Sequence, residues 1–198
     1  MMRPADVRAA RDLGADYAGF VLTDGFRRSI GLGTFCELHS FLIGSKTKAV
    51  GVFVDEPLEN ILTDYAEMLD LIQLHGHEDS GYIRRLQQQT GKPVIKAFRI
   101  TSESDIQAAR NCNADYVLLD SGTGTGKTFD HTLIQDFGRD FFLAGGLNPE
   151  NVGTAIEQLS PFAVDTSSGI ETDGQKDQKK MAAFVKAVRG EKQTGGLL

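Results

Sequence analysis

The chain alternates between short apolar segments and stretches in which apolar residues recur at helical spacing. Residues 57–69 show the helical spacing, because Leu58, Ile61, Leu62 and Tyr65 fall on one face of a helix. The apolar segments favour strands and lie at 17–22, 49–54, 69–74, 94–98, 116–119, 141–144 and 162–164. Strands that are apolar throughout and joined by helices indicate a parallel sheet covered by helices. The sequence therefore predicts an α/β fold, either a closed barrel or an open doubly wound sheet.

The order of the elements begins with a predicted helix at 4–13 rather than a strand, which gives seven strands and eight helices. An eight-stranded barrel would need one more strand ahead of this helix. Helix starts are indicated by Ser102 with Asp105, by Asn148-Pro149 and by Asp79-Ser80.

The length of 198 residues and the hydrophobic content of 40% allow one sizeable core. We expect one domain over residues 1–190, followed by a flexible tail over 191–198 that has little periodicity. The sequence leaves the oligomeric state open.

Composition restricts the partners that such a domain can bind. The chain carries 27 acidic and 21 basic residues, a net charge of −6, which opposes binding to nucleic acid and to anionic lipid. No apolar run reaches the ~20 residues that span a bilayer, and the first residues lack the apolar core of a signal peptide. We therefore expect a cytoplasmic protein with a small-molecule partner. Cys36 and Cys112 have neither metal nor redox spacing, and we interpret both as ordinary reduced cysteines.

Two glycine-rich turns follow the last two predicted strands. The first contains Gly145-Gly146 and leads into Asn148-Pro149, and the second contains Ser167-Ser168-Gly169. Glycine lets backbone N–H groups approach an anion closely, and a following helix N-terminus favours negative charge. Paired turns after the last two strands are where barrels of this kind hold phosphate. These turns predict a phosphate site, and ordinary tight strand-to-helix turns are the alternative interpretation.

Asp120 directly follows the fifth predicted strand, at the face of a parallel barrel that carries catalysis. A carboxyl group partly shielded from water there can act as a general acid near neutral pH, or it can simply cap a helix or satisfy a loop. The segment up to Gly126-Lys127-Thr128 resembles a Walker loop. That motif needs a glycine where this chain has Ser121, which argues against an NTPase.

Two other polar clusters are candidates for a site. His75-Gly76-His77-Glu78 could suggest a metal, but no third ligand is suitably spaced, and His75 is better interpreted as lining a site. Arg27-Arg28 lies in a long loop after the first predicted strand. An arginine there could grip a substrate carboxylate through its bidentate fork, and a solvated surface pair is the alternative.

A set of short motifs occurs in a fixed order at residues 14–16, 19–21, 50–54, 73–76, 95–98, 126–130, 144–151 and 164–169. Together they resemble the phosphoribosylanthranilate isomerase family, from Arg3 to about Arg189. The resemblance implies a (βα)8 TIM barrel that converts N-(5-phosphoribosyl)anthranilate to 1-(2-carboxyphenylamino)-1-deoxyribulose 5-phosphate. The reaction is an Amadori rearrangement in tryptophan biosynthesis. No cofactor and no metal are implied.

The resemblance also implies roles for individual residues. Asp120 matches the family's general acid, which protonates the ribose ring oxygen. Arg28 matches the arginine that holds the anthranilate carboxylate, and Gln73 and His75 match residues that line the pocket. Asp165, at the end of the last strand, is a further substrate-binding residue. The phosphate contacts match the backbone of Gly145, Gly146, Ser167, Ser168 and Gly169.

The start of the chain departs from the family pattern. The family opens with a strand ending Lys-Ile-Cys-Gly, whose cysteine is the general base, and residues 1–7 align directly after it. Neither Cys36 nor Cys112 matches that cysteine. The sequence as given therefore predicts a barrel without its first strand. We expect impaired catalysis, and two unpaired sheet edges that lower stability or promote self-association.

Three hypotheses follow from this departure. The natural protein could carry more residues ahead of Met1 and be a working isomerase. The chain could instead be a non-catalytic barrel remnant that binds phosphate or a phosphosugar. A related barrel enzyme such as a ribulose-phosphate epimerase is a third hypothesis, and it would need metal ligands that the sequence does not offer.

Overall fold

A computed structural model describes residues 1–120, 122, 134 and 137–190. Seven parallel strands form one sheet in chain order, each hydrogen-bonded to the next. All seven predicted strands are confirmed. They are β1 (Tyr17–Val21), β2 (Lys48–Phe53), β3 (Leu71–Leu74), β4 (Val94–Arg99), β5 (Tyr116–Asp120), β6 (Phe141–Ala144) and β7 (Ala163–Val164).

Helices connect these strands. They are α1 (Pro4–Asp12), α2 (Leu32–Ser40), α3 (Leu58–Asn60), α4 (Ser80–Thr90), α5 (Glu103–Arg110), α6 (Val152–Leu159) and α7 (Gln178–Val188). Helix α3 continues as a π turn, Ile61–Tyr65, and a 3-10 turn, Ala66–Met68, so the predicted helix at 57–69 changes pitch along its length. Most residues between β5 and β6, including the Gly126-Lys127-Thr128 segment, lie outside the described residues. The predicted tail at 191–198 also lies outside them.

Two of the predicted helix starts are confirmed. The Asp79 carboxylate accepts the backbone N–H of Tyr82 at 2.7 Å and caps α4. The Asp105 carboxylate accepts the backbone N–H of Ser102 at 2.9 Å in the capping box of α5. Each carboxylate satisfies an N–H group that the helix itself leaves without a partner.

The start expected at Asn148-Pro149 is wrong by several residues, because α6 begins at Val152. The Asn148 side chain instead accepts the backbone N–H groups of Glu150 and Asn151, both at 3.0 Å. Asn and Asp side chains often form such local turns in competition with a helix. The turn after β6 is therefore longer than the sequence indicated.

The sheet curls so that distant strands face one another across an interior. The rings of Tyr17 on β1 and Phe142 on β6 lie 5.5 Å apart, although these strands are not neighbours. The buried interior cluster consists of Val50, Leu71, Ile95, Ala97, Leu118, Phe142 and Ala144. The other face of the sheet packs on the helices. This is the (βα) TIM-barrel arrangement, of which the described residues provide seven strands.

The gap between β1 and β7, which are not paired with each other in the described residues, is flanked by α1. Val7 of α1 packs into the core cluster on the β1 side, whereas Ala10 packs with Met181 and Phe184 of α7. Both faces of α1 are thus used in the outer layer. No helix among the described residues is long and apolar enough to cross a membrane.

A small hairpin between β7 and α7 was not predicted. Strands β8 (Glu171–Thr172) and β9 (Gln175–Lys176) pair antiparallel. Asp173 and Gly174 join them with φ of 51° and 75°, as a two-residue turn of the primed type requires. The Asp-Gly pair was therefore a local signal for this hairpin.

Candidate active site

The ends of strands β3 and β5 bring polar side chains to the barrel interior. Residues two apart on a strand point to the same face, and Leu71 and Leu118 belong to the interior cluster. Gln73 and His75 therefore share the interior face with Leu71, and Asp120 shares it with Leu118. These predicted site residues line the mouth at the carboxyl ends of the strands, where barrels carry their catalytic groups.

The half-buried carboxylate of Asp120 accepts the backbone N–H of Gly122 at 2.8 Å. Asp120 pairs in register with Ala144, the residue directly before Gly145. An aspartate that only satisfies a backbone group of its loop was the alternative interpretation of Asp120, and the hydrogen bond with Gly122 is a contact of that kind. It also fixes the direction of the carboxyl group at the mouth, next to the first glycine-rich turn.

Asp165 follows β7 and lies among the same groups. Its side chain is exposed at the mouth, but many protein atoms lie around its carboxyl group and replace part of the water there. This surrounding protein raises the pKa of Asp165, and the charge of Asp120 raises it further, while His75 and Lys176 oppose the change. Asp165 thus carries its carboxyl group at the end of β7, as Asp120 does at the end of β5.

Gln73 and His75 occupy different depths of the β3 end. Gln73 is buried, whereas the side chain of His75 is exposed at the mouth. The backbone N–H of His75 donates to the carbonyl oxygen of Phe53 at 2.8 Å and extends the strand pairing by one residue. Gln73 thus belongs to the wall of the site, and His75 lies where a ligand can reach it.

Glu78 holds the turn that follows His75. Its carboxylate accepts the backbone N–H groups of Asp55 at 2.8 Å and Gly76 at 3.0 Å, and the buried Lys96 ammonium lies 3.2 Å away. His77 points outward, with a side chain 95% exposed. Within the described ranges no three His, Cys, Asp or Glu side chains form a group suited to a metal ion.

The two glycine-rich turns pack directly against each other. Gly145 and Gly146 adopt φ of 100° and 64°, which favours glycine. A Cβ atom on Gly169 would lie 1.9 Å from the carbonyl oxygen of Leu147, so only glycine fits there. The Thr166 hydroxyl donates to the same oxygen at 2.6 Å. The two turns therefore form one continuous surface after β6 and β7.

Arg28 lies at the rim and already has a carboxylate partner. Its Nε donates to Glu171 Oε1 and its second terminal nitrogen donates to Glu171 Oε2, both at 2.9 Å. The Arg28 side chain is 28% exposed, whereas that of neighbouring Arg27 is 60% exposed. The alternative of a solvated surface pair fits Arg27 better than Arg28. The sequence does not indicate that a carboxylate of the protein itself binds Arg28.

Glu171 was not a predicted site residue, although it directly follows the second glycine-rich turn. Its buried carboxylate also lies 3.0 Å from Arg27 and 3.1 Å from Lys176. Burial alone would raise the pKa of Glu171, but the hydrogen bonds from Arg28, Lys176 and Arg27 lower it to about 2. Glu171 is therefore ionised at neutral pH.

Both cysteines lie away from the mouth. Cys36 is an exposed residue of α2, and its sulfur is 3.9 Å from that of Met68. Cys112 follows α5 and packs against the outer core clusters. Both cysteines are free, as their interpretation as ordinary reduced cysteines requires.

The fold is that of a TIM-barrel protein, with polar side chains and glycine-rich turns at the carboxyl ends of its strands. A family model described as N-(5'-phosphoribosyl)anthranilate (PRA) isomerase matches residues 1–187. The chain belongs to this family.

Relatives and solved structures agree with this assignment. The N-(5'-phosphoribosyl)anthranilate isomerase of Endomicrobium trichonymphae is 40% identical over 195 residues, covering 96% of this chain and 95% of that protein. The crystal structure of phosphoribosyl anthranilate isomerase from Thermotoga maritima matches with a TM-score of 0.87 and 37% identity, covering 96% of both chains. Another structure of such an isomerase, at TM-score 0.86, 36% identity and coverage of 96% and 95%, contains reduced 1-(o-carboxyphenylamino)-1-deoxyribulose 5-phosphate. We call this molecule the reduced ligand.

Proposed function

We propose that this chain acts as an isomerase on N-(5-phosphoribosyl)anthranilate and yields 1-(2-carboxyphenylamino)-1-deoxyribulose 5-phosphate, a step of tryptophan biosynthesis. Membership of the family supports this reaction. The observation that carries the proposal is the mouth itself. Carboxylates stand at the ends of β5 and β7, an arginine stands in the loop after β1, and two interlocked glycine-rich turns follow β6 and β7.

The substrate has a carboxylate at one end and a phosphate at the other, and the mouth offers a group for each. Arg28 is a planar donor suited to the carboxylate. The backbone of Gly145, Gly146, Ser167, Ser168 and Gly169 is suited to the phosphate. The reduced ligand bound by a relative carries the same two groups. Gln73, His75 and Asp165 would contact the sugar between them.

Asp120 is the proposed general acid. Its proton passes to the ribose ring oxygen, the bond from that oxygen to the anomeric carbon breaks, and the anilino nitrogen supplies the electron pair for an iminium ion. A base then removes the proton of the neighbouring carbon, which gives an enolamine. A proton returns to the former anomeric carbon while the hydroxyl group on the neighbouring carbon loses its proton, which leaves the ketone and restores the protonated acid. Asp165 can accept a hydrogen bond from a sugar hydroxyl as a carboxylate, and it can donate one when protonated.

The base of the family is a cysteine in the strand that precedes residues matching 1–7, and that strand is not part of the sequence as given. The described cysteines lie in the helical layer. General base catalysis contributes about two to four decades of rate. A form with the strand should therefore turn over faster by about that factor.

The test is to follow the loss of phosphoribosylanthranilate fluorescence for two forms of the chain. One is the chain as given, and the other is extended by an N-terminal strand ending Lys-Ile-Cys-Gly. We expect turnover by the extended form and much slower turnover by the shorter one. The proposal fails if neither form consumes the substrate. Binding of the reduced ligand without turnover by either form would instead favour the non-catalytic phosphosugar-binding barrel.

A further inference from the structure

We propose that Glu171 and Lys176 are positioning residues that hold the carboxylate-binding and phosphate-binding ends of the site at a fixed separation. Glu171 would orient the Arg28 guanidinium, and Lys176 would tie that pair to the second glycine-rich turn. We call Glu171, Arg27, Arg28 and Lys176 the Glu171 hub. The inference rests on the proposed function, since it gives the hub a purpose only if one ligand carries both anions.

The contact between Arg28 and Glu171 leaves part of the guanidinium available. Glu171 takes the edge formed by Nε and one terminal nitrogen of Arg28. The edge formed by the two terminal nitrogens faces away from Glu171, because the guanidinium is planar and its five N–H donors point in fixed directions. Arg28 is partly exposed at the mouth, so a ligand carboxylate can reach this second edge. Glu171 thus orders Arg28 before any ligand arrives.

Lys176 joins the hub to the phosphate turn. Its ammonium donates to the Ser167 carbonyl oxygen at 2.7 Å, to the Ser167 hydroxyl at 3.4 Å and to Glu171 Oε1 at 3.1 Å. These contacts match the three donors of an ammonium group, and the side chain is only 8% exposed. Lys176 therefore acts on the protein's own turn rather than on a ligand.

The charges of the hub distinguish positioning from simple electrostatic attraction. Three cations surround one carboxylate, which leaves the four residues of the hub with a surplus of two positive charges. Replacing Glu171 by glutamine raises this surplus, so attraction alone predicts tighter binding of every anion. Loss of positioning predicts the reverse for a ligand carboxylate, because Arg28 must then be ordered by the ligand.

The decisive experiment measures binding of two probes to the full chain by calorimetry. The reduced ligand carries a carboxylate and a phosphate, whereas ribose 5-phosphate carries the phosphate alone. We expect Glu171→Gln to lower the affinity for the reduced ligand by about three- to tenfold, which is the cost of ordering one long side chain. The affinity for ribose 5-phosphate should stay within about twofold of the wild-type value. We expect Lys176→Met to weaken both probes, because it releases the Ser167 turn.

Glu157→Gln on the exposed face of α6 is the matched control, since it removes one negative charge away from the hub. If Glu171→Gln lowers the affinity for both probes equally, the site is generally disrupted and the inference is overturned. An equal increase in both affinities, which indicates an effect of charge alone, also overturns it, and so does unchanged affinity for both probes. If the wild-type chain binds ribose 5-phosphate but not the reduced ligand, the proposed function itself fails.

Discussion

The Lys96 ammonium lies 3.2 Å from the Glu78 carboxylate, and both side chains are almost completely buried. Lys96 also donates to the carbonyl oxygen of Gly76 at 2.7 Å, while Glu78 accepts the N–H of the same residue. The pair therefore fastens both backbone groups of Gly76, the residue after His75. A buried pair of this kind is costly to break from one side, because the remaining charge is left without a partner away from water.

We expect Glu78→Gln and Lys96→Met each to lower the free energy of unfolding by about 3 kcal/mol, as an unpaired buried charge does. The double variant should lose less than the sum of the two, because neither charge is then left alone. Urea unfolding measures these differences. Asp12→Asn, which removes an exposed ion pair with Arg11, is the control and should cost under about 1 kcal/mol. A Glu78 variant as stable as this control would contradict the prediction.

Asp120→Asn should abolish the general acid while preserving its shape. Asparagine can still accept the N–H of Gly122, so the loop should remain in place. We expect turnover to fall by about 10²- to 10⁴-fold and the affinity for the reduced ligand to change little. Steady-state kinetics of the form extended by the Lys-Ile-Cys-Gly strand provides the measurement. Asp79→Asn is the control, because asparagine caps a helix as well as aspartate does. Equal turnover in the two variants would remove Asp120 from the mechanism.

Gly169→Ala should separate the two glycine-rich turns. The added Cβ would overlap the carbonyl oxygen of Leu147, and overpacking of this kind costs about 1–3 kcal/mol. We expect lower stability and weaker binding of ribose 5-phosphate, measured by urea unfolding and calorimetry. Gly153→Ala in α6 is the control, since nothing lies within 4 Å of its Cβ position. It should stabilise the helix by roughly 0.5–1 kcal/mol. A Gly169→Ala variant with normal phosphate affinity would show that the interlocking does not matter for binding.

Acid should weaken the Glu171 hub. Hydrogen bonds from its cations outweigh the effect of burial and lower the pKa of Glu171 from an ordinary value of 4.5 to about 2. A carboxyl group with a lowered pKa in the folded state stabilises the protein above its unfolded pKa and loses that contribution as pH falls to the folded pKa. At most about 3 kcal/mol should therefore disappear between pH 4.5 and 2. Unfolding free energies at pH 5 and pH 3 should differ more in the wild type than in Glu171→Gln. Equal pH dependence in both would be inconsistent with the hub.

Local patterns predicted the elements and much of the mouth. The seven strands could be predicted from short apolar runs. Such runs are visible in contiguous residues, because a strand of a parallel sheet is buried on both faces. Asp120 could be placed at a strand end for the same reason. The close contact between Gly169 and the Leu147 carbonyl oxygen could not be predicted, because it depends on how two successive loops pack against each other.

The order of strands and helices, the family resemblance and the positions of the glycine-rich turns could be predicted, since each depends on contiguous residues. The contact of Arg28 with Glu171, 143 positions along the chain, and that of Glu78 with Lys96 become visible only in the folded protein. No local pattern specifies such partners. Arg28 and Glu171 meet because the sheet curls until the loops after β1 and β7 lie together, whereas Glu78 and Lys96 meet because β3 and β4 are paired neighbours. Burial then makes the charges of Glu78 and Lys96 require partners.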